Sequence, residues 1–199
     1  MSEYLKKCNE VRLVGMLEKE FEFYYSLSNR VVKQDYYINY IIIKRENKVD
    51  EHIPVVMQKD KIDFRKEYKC SEVEIIGKLK ENNYTRKSFL YVFIKSMSFL
   101  SVGHKMEEIA KVKIECVLHK KVTTRVQKDG RLRLDFKIRY NQMIITCVAW
   151  NRNARIINKK VEEGTELILS GRIETRLYHK NEEWKETNEF VVKDIGYVM

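Results

Sequence analysis

Basic side chains alternate with apolar ones in the second half of the sequence. Alternate residues of a β-strand face the same side. If segment 131–140 is a strand, one of its faces carries four cations: Arg131, Arg133, Lys137 and Arg139. Such a row could follow a line of phosphate groups, and it could equally be the solvated face of a basic protein. The chemistry on offer is the binding of a polyanion.

Aromatic side chains join these cations in the neighbouring segments. The same alternation in segments 144–150 and 168–178 predicts an outward set that includes two rings and two cations. The full set is Ile144, Thr146, Val148, Trp150, Ile168, Ser170, Arg172, Glu174, Arg176 and Tyr178. Large exposed rings usually mark a contact surface. Rings that stack on bases beside cations that hold phosphates suit a single-stranded nucleic acid. Alternatively, Trp150 could cover the end of a barrel or lie in a dimer interface.

The first half offers a less regular set of candidates. Segment 35–45 is apolar on both faces, so alternation leaves open whether its tyrosines stack on bases or fill an interface: Tyr36, Tyr37 and Tyr40. A glycine-containing strand and the loop after it supply three cations and a tyrosine: Lys78, Lys80, Tyr84 and Arg86.

Patterns for catalysis or metal binding are missing from the sequence. The four histidines are scattered, and none of the four cysteines lies in a C-x-x-C pair. Acidic pairs such as Glu107–Glu108 are typical of loops and caps. There is no Walker loop, G-x-S-x-G or H-E-x-x-H motif. We therefore expect neither an enzyme nor a metal or other cofactor.

Composition narrows the class of protein further. The chain has 199 residues, of which 34% are charged and 44% hydrophobic, so it is neither disordered nor membrane-spanning. Its net charge of +10 fits a polyanionic partner, although charge alone also fits an inert basic surface. Cysteines without an apparent secretion signal indicate reduced thiols and a cytoplasmic protein.

The sequence reads as two copies of one unit of about 100 residues, beginning near Asn9 and Ala110. Each copy has three short strand-like runs, a helix-compatible stretch and two more strands. The helix-compatible stretches are 59–68 and 151–161. Gly77 and Gly171 fall in the same phase of equivalent strands, where glycine suits a tight bend or a close backbone approach.

This order of elements predicts the OB-fold, a five-stranded Greek-key barrel. We therefore expect an all-β protein with two tandem OB-fold barrels and one short helix per repeat. The predicted ranges are 1–100 for the first barrel, 101–108 for the linker and 109–199 for the second barrel. We expect two separate sheets that pack against each other.

Segment 145–178 resembles the core signature of bacterial single-stranded DNA-binding proteins. The matching residues keep the order and spacing of that family: Trp150, Ala154, Gly164, Gly171, Thr175, Arg176 and Tyr178. Over about residues 9–197 the chain resembles the subtype with two OB-folds in one polypeptide, from Gram-positive bacteria and their mobile elements. The resemblance implies base stacking by Trp150 and Tyr178, with Arg172 and Arg176 as fourth-strand cations.

Two departures from the family pattern change what is carried over. Ile144 stands where many relatives have a second stacking aromatic residue. The sequence ends in KDIGYVM, without the glycine-rich linker and acidic tip that recruit replication and repair enzymes. We therefore do not expect that recruiting role.

The resemblance implies a cytoplasmic, nucleoid-associated protein that binds single-stranded DNA without sequence preference in replication, recombination or repair. A homodimer would present four OB-folds, and segment 40–43 is the expected interface. Two alternatives stay open, namely single-stranded RNA as the ligand and a protein assembly module of a replication or conjugation complex.

Overall fold

The computed structural model describes residues 8–28, 33–45, 49–82, 89–101, 109–180 and 183–198. Within these residues, the first half forms six strands: β1 (Asn9–Leu17), β2 (Glu22–Ser28), β3 (Lys33–Ile43), β4 (Glu51–Gln58), β5 (Glu72–Asn82) and β6 (Phe89–Phe99). The second half forms five strands and a helix: β7 (Ile109–Val126), β8 (Leu132–Tyr140), β9 (Met143–Trp150), α1 (Asn151–Lys160), β10 (Glu166–Lys180) and β11 (Glu183–Tyr197).

Each half closes its strands into a barrel. In the second half, the order β10-β11-β9-β8-β7 is closed by a further ladder between β7 and β10. In the first half, β1 pairs with both β5 and β3, and β4 runs parallel to β6 as β9 runs parallel to β11. This is the architecture of the OB-fold. The predicted class, an all-β chain with two tandem OB-folds, is confirmed.

The first strand of the repeat is built differently in the two barrels. In the second barrel it is the single 18-residue strand β7, which bends at two register shifts against β8. In the first barrel it is interrupted between β1 and β2. The buried side chain of Asn39 accepts a hydrogen bond from the Lys19 N–H and donates one to the Lys19 carbonyl at this break. The amide therefore satisfies backbone groups that a continuous ladder would have paired.

The repeat phase of the two glycines has a steric cause. Val11 pairs with Gly77 and Val112 pairs with Gly171, so the glycines occupy equivalent positions. A Cβ atom at Gly77 would lie 2.6 Å from the Phe93 carbonyl oxygen, and one at Gly171 would overlap the Val191 carbonyl oxygen. Both glycines adjoin a β-bulge, where the backbones approach too closely for a side chain.

The predicted helix forms in the second repeat only. In α1, Ala154 and Ile157 are buried on one side of the helix. Two lysines in its last turn stabilise the helix by interacting with the negative end of the helix dipole. The helix predicted at 59–68 is wrong, because only a 3-10 turn at Lys59–Lys61 forms there. The Asp63 carboxylate accepts a hydrogen bond from the Arg65 N–H, which favours a turn over a helix. Within the described residues, no helix is long and apolar enough to cross a membrane.

A ladder between the barrels joins them into one sheet. β1 pairs antiparallel with β7, with Asn9–Val14 facing Ile109–Ile114. All eleven described strands therefore belong to one hydrogen-bonded sheet, and the expectation of two separate sheets is wrong. We call the β1–β7 ladder the seam. The linker expected at 101–108 lies, apart from Ser101, outside the described residues.

The barrel interiors take up the apolar faces of the strands. Fully buried side chains include Leu13 in the first barrel and Phe136 in the second. Ile41 and Ile43 are also fully buried in the first barrel. The expectation that segment 40–43 forms an intermolecular interface is therefore wrong for these two side chains. Tyr40 and Ile42, which alternate with them, are half-buried.

Candidate nucleic-acid interface

Trp150 ends β9 on the outer face of the second barrel, where it is half-buried. The guanidinium carbon of Arg131 lies 4.7 Å from the centre of its ring, and that of Arg133 lies 5.5 Å away. Both distances suit cation–π attraction. Arg131 is exposed, and its Nε is 2.7 Å from the Asp129 carboxylate. Trp150 therefore combines a partly accessible ring with an accessible cation.

Arg133 does not belong to an exposed row of cations, so this part of the prediction is wrong. Its side chain is 5% exposed and lies 2.6 Å from Asp135 and 2.7 Å from Glu189. Burial alone would lower the pKa of Arg133, but the hydrogen bonds to Glu189 and Asp135 raise it overall. Arg176 and Arg125 contact the same two carboxylates at 3.0 and 3.3 Å. We call these five residues the ionic cluster.

The remaining cations predicted on β8 are placed as expected. Arg139 is exposed and Lys137 is half-buried, and neither forms an ion pair with any described residue. Both residues lie in the half of β8 that is farther from Trp150. These two side chains are therefore available to phosphate groups.

Tyr178 and Trp150 lie on different strands of the second barrel. Tyr178 pairs with Lys185 near the tip of the β10–β11 hairpin, whereas Trp150 directly follows Ala149, the register partner of Val192. Arg133 lies against the Trp150 ring and shares Glu189 with Arg176, which stands two residues before Tyr178. The prediction that they form a single surface with Arg172 and Arg176 stays a prediction. Arg172 itself is half-buried and paired with Glu174, and Arg176 is exposed and paired with Glu189.

A cluster of rings on the outer face of the first barrel was not assigned from the sequence. We call it the aromatic patch, and its members are Tyr24, Tyr25, Tyr36, Phe89, Tyr91 and Phe93. The Tyr25 and Tyr36 rings are stacked, with centres 4.6 Å apart and planes 17° apart. Tyr36 and Tyr91 are buried, and the other four rings are half-buried. The sequence did contain a signal, since Phe89, Tyr91 and Phe93 alternate along β6.

The two lysines predicted on β5 lie beside the aromatic patch. Lys80 places its Nζ 4.3 Å from the centre of the Phe93 ring. Burial, followed by the charge of Lys78, lowers the pKa of Lys80. Lys78 is half-buried and pairs in register with Phe93. Tyr84 and Arg86, the other candidates of this half, lie outside the described residues.

The structure also decides the phase of the tyrosines in β3. Tyr36 joins the aromatic patch. Tyr37 faces the opposite side, where its ring centre is 5.9 Å from that of Phe23 and 5.2 Å from that of Phe64. Tyr40 is half-buried, with the Lys19 Nζ 5.6 Å from its ring centre.

Register shows that the aromatic patch and the ionic cluster occupy equivalent positions. Tyr36 pairs with Gln58 as Arg133 pairs with Trp150. In the same way, Val56 pairs with Phe93 and Val148 with Val191. Tyr91 lies two residues before Phe93 in β6, and Glu189 lies two residues before Val191 in β11. Where the first barrel places two tyrosines, the second therefore places the Arg133–Glu189 ion pair.

Hairpins of each barrel contact the other barrel. The Thr146 hydroxyl lies 3.1 Å from the Glu81 carboxylate, and the His52 N–H lies 2.8 Å from the Thr175 hydroxyl. Val148, predicted outward, is 1% exposed. It lines a cavity of about 210 Å³ together with Phe89 and Leu90 of the first barrel. The first barrel thus covers the middle of β9 and leaves its Trp150 end partly open.

Trp184 is the most exposed of the large apolar side chains in the described residues. It is 72% exposed on the β10–β11 hairpin, and its ring centre lies 5.4 Å from that of His179. Sequence patterns did not single it out, because the strand around it is charged rather than alternating. Within the described residues, no group of three or more His, Cys, Asp or Glu side chains could hold a metal ion.

The fold and these surfaces define a tandem OB-fold protein with rings and cations on its outer faces. Residues 109–198, which include the second barrel, match the model of the single-strand binding protein family. The similarity expected from segment 145–178 is thereby confirmed.

Solved structures extend the likeness in fold to nearly the whole chain. The single-stranded DNA binding protein from Thermus aquaticus has a TM-score of 0.69 at 13% identity, covering 98% of this chain and 94% of that chain. A deletion variant of the same protein has a TM-score of 0.68 at 14% identity, covering 98% and 96%. No curated protein matches the chain in sequence.

Proposed function

We propose that the protein binds single-stranded DNA without sequence preference. Phosphates are neutralised by exposed cations and bases stack on aromatic side chains. One observation carries this proposal: a barrel that matches the single-strand binding protein family presents the Trp150 ring next to an exposed arginine, Arg131. Cations and rings at that distance can hold a phosphate and its base together.

In this proposal the two barrels contribute different groups to DNA binding. The aromatic patch supplies the larger stacking surface, since four of its six rings are half-buried and Lys80 lies against Phe93. The second barrel adds separate stacking points at Trp150, Tyr178 and Trp184. Further cations hold the backbone: Arg131, Lys137, Arg139, Arg172, Arg176, Lys78 and Arg86. Tyr84 belongs to the same proposed surface.

The proposal assigns no catalytic step to the chain. It places the protein at the nucleoid in the cytoplasm, in replication, recombination or repair. It also includes a homodimer that presents four OB-folds, whose mass in solution is measured by light scattering. A monomeric mass would remove the dimer from the proposal without affecting DNA binding.

Fluorescence titration of the wild-type protein tests the proposed function. Among poly-dT, poly-U and duplex DNA, we expect poly-dT to quench the tryptophan fluorescence and to bind more tightly than the duplex, because stacking needs unpaired bases. Equal affinity for poly-U would assign the protein to single-stranded RNA and DNA alike. Absence of binding to all three polymers would contradict the proposal and favour a protein assembly module.

A further inference from the structure

The β10–β11 hairpin extends from the second barrel beyond Thr175 and its register partner Asn188. The ladder between β10 and β7 ends at Arg172, and β11 pairs with β9 only at residues 190–192. Within the described residues, the outer part of the hairpin is therefore paired with no third strand. A two-stranded ribbon has little stability of its own, so contacts at its base decide the direction in which it extends.

The outer part of this hairpin carries two of the rings in the proposed function, Tyr178 and Trp184. Tyr178 is half-buried, and Trp184 is exposed. The positions of both rings relative to the rest of the second barrel depend on the direction of the hairpin. Groups that fix the base of the hairpin therefore also fix where these rings can meet a base.

The first barrel contacts the hairpin at its base. The Glu51 carboxylate accepts a hydrogen bond from the Thr175 backbone N–H. The His52 backbone N–H donates to the Thr175 hydroxyl at 2.8 Å, and that hydroxyl lies 3.0 Å from the side-chain oxygen of Asn188. Two neighbouring residues of β4 thus hold both strands of the hairpin through one threonine. We call these four residues the clamp.

Burial makes the clamp a specific contact. Glu51 is 4% exposed, and the Arg45 Nε lies 3.5 Å from its carboxylate. A carboxylate is stable in such a place only where its partners compensate for the lost water. At Thr175 the strand β10 no longer has β7 beside it, so Glu51 supplies the acceptor that a neighbouring strand would have supplied. A side chain of one barrel thereby completes the strand edge of the other.

We propose that Thr175 is a positioning residue for DNA binding, through which the first barrel fixes the direction of the hairpin that carries Tyr178 and Trp184. This inference rests on the proposed function and adds a residue that acts without contacting the DNA. When the clamp is broken, the hairpin adopts further directions in which its rings miss the bound strand. The apparent affinity then falls with the fraction of correctly directed hairpins.

The test measures binding of dye-labelled poly-dT to Thr175→Val, which removes the clamp hydroxyl and keeps the branched shape of the side chain. One hydrogen bond shifts an equilibrium by about 2- to 10-fold, and we expect an affinity about 5-fold below that of the wild type. Thr175→Ser keeps the hydroxyl and should bind like the wild type. The matched control is Thr146→Val, which removes a hydroxyl 3.1 Å from Glu81 and so alters a different contact between the barrels. We expect this control to keep the wild-type affinity.

Tyr178→Leu separates positioning from a general loss of stability. This change should weaken binding by about 5- to 150-fold, the effect of losing one stacked base. In the Tyr178→Leu background, Thr175→Val should change the affinity by less than about 2-fold, because the ring that the clamp directs is absent. A general loss of stability would instead reduce the affinity by the same factor in both backgrounds.

Each other outcome overturns the inference and leaves a recognisable result. If Thr175→Val binds like the wild type, or loses the same factor in both backgrounds, the clamp does not position the hairpin and the proposed function stands. Equal losses in Thr175→Val and Thr146→Val would assign the effect to barrel contacts in general. If Tyr178→Leu binds like the wild type, DNA binding depends on Trp150 and the aromatic patch and not on this ring. If the wild type does not bind poly-dT, the proposed function fails together with this inference.

Discussion

Val11 of β1 and Val112 of β7 are register partners across the seam, and they occupy equivalent positions in the two repeats. Each also pairs with the glycine of its own barrel, Gly77 or Gly171. In an antiparallel ladder, a residue meets its own equivalent only where a two-fold axis passes between them. The barrels are therefore related by a pseudo-two-fold axis inside one chain, the symmetry of an isologous dimer interface.

Trp150→Ala is expected to weaken binding of poly-dT by about 1–3 kcal/mol, the usual value of one stacked base. The slope of log K against log salt should not change, because no charge is removed. Fluorescence anisotropy of dye-labelled poly-dT measures both quantities for Trp150→Ala and the wild type, and Trp184→Phe, in which Trp150 is the one remaining tryptophan, reports whether poly-dT quenches that ring. Unchanged affinity, together with a Trp150 signal that does not respond to poly-dT, would exclude this ring from the binding surface.

Tyr25→Leu tests the aromatic patch. We expect affinity for poly-dT to fall by about 1–3 kcal/mol, because leucine keeps apolar bulk at this half-buried position but cannot stack on a base. The matched control is Tyr37→Leu, which makes the same change on the opposite side of the sheet. Equal losses in the two variants would show that the effect is structural and would contradict a stacking role for the patch.

Arg133 and Arg131 are expected to separate stability from binding. Arg133→Met leaves Glu189 and Asp135 short of one buried partner and should cost about 3 kcal/mol of unfolding free energy in a urea titration. Arg131→Ala should cost about 0–1 kcal/mol, because its ion pair is exposed. The salt slope for poly-dT should decrease by about 0.7 in Arg131→Ala. A stable Arg133→Met protein with a reduced slope would show that Arg133 holds phosphate after all.

Gly171→Ala is expected to lower the free energy of unfolding by about 1–3 kcal/mol, the usual cost of overpacking. The new Cβ would overlap the Val191 carbonyl oxygen, which belongs to the backbone and cannot move aside cheaply. Gly196→Ala is the control, since a Cβ there would lie at 3.6 Å from Ile168, an ordinary contact. Equal stability of the two variants in urea would refute the close approach at the bulge.

Glu174 is expected to contribute to acid sensitivity. Burial alone would raise its pKa, but hydrogen bonding to Arg172 and the charges of Arg172 and Lys193 lower it overall from the ordinary value of 4.5. Near that pH the unfolded chain binds more protons, so this stabilisation is present above 4.5 and is lost as pH falls through the folded-state pKa. Glu174→Gln should therefore be less stable than the wild type at neutral pH and approach it in acid. A difference in urea stability that does not change with pH would contradict this assignment.

Local patterns in the sequence were sufficient for the fold class. Alternation along a strand repeats every two residues, and Gly77 and Gly171 fall at the same point of that alternation. Both patterns can be recognised from residues that are close together in the sequence. The missing first helix shows the limit of this reasoning. Segment 59–68 is compatible with a helix, but the Asp63 side chain satisfies the local backbone in a turn.

The candidate site depended much more on strand order. The sequence by itself placed Arg131 and Trp150 on an outer face, because alternation separates the two faces of a strand. Only the tertiary structure could show that Arg133, on the same face, contacts Glu189, which lies 56 residues further along the chain. Ion pairs between strands depend on which strands become neighbours, and alternation within one strand carries no information about that.

The aromatic patch illustrates the same division. Apolar residues on both faces of β3 predict that other side chains cover both faces. They do not predict which side chains cover each face. In the structure, Ile41 and Ile43 pack inside the barrel. Tyr36 packs against Tyr25 and Phe93 on the outer face. The sequence thus determined the two barrels and their basic character. Tertiary structure alone decided that one outer face is aromatic and the other ionic, because those faces are assembled from strands distant in the chain.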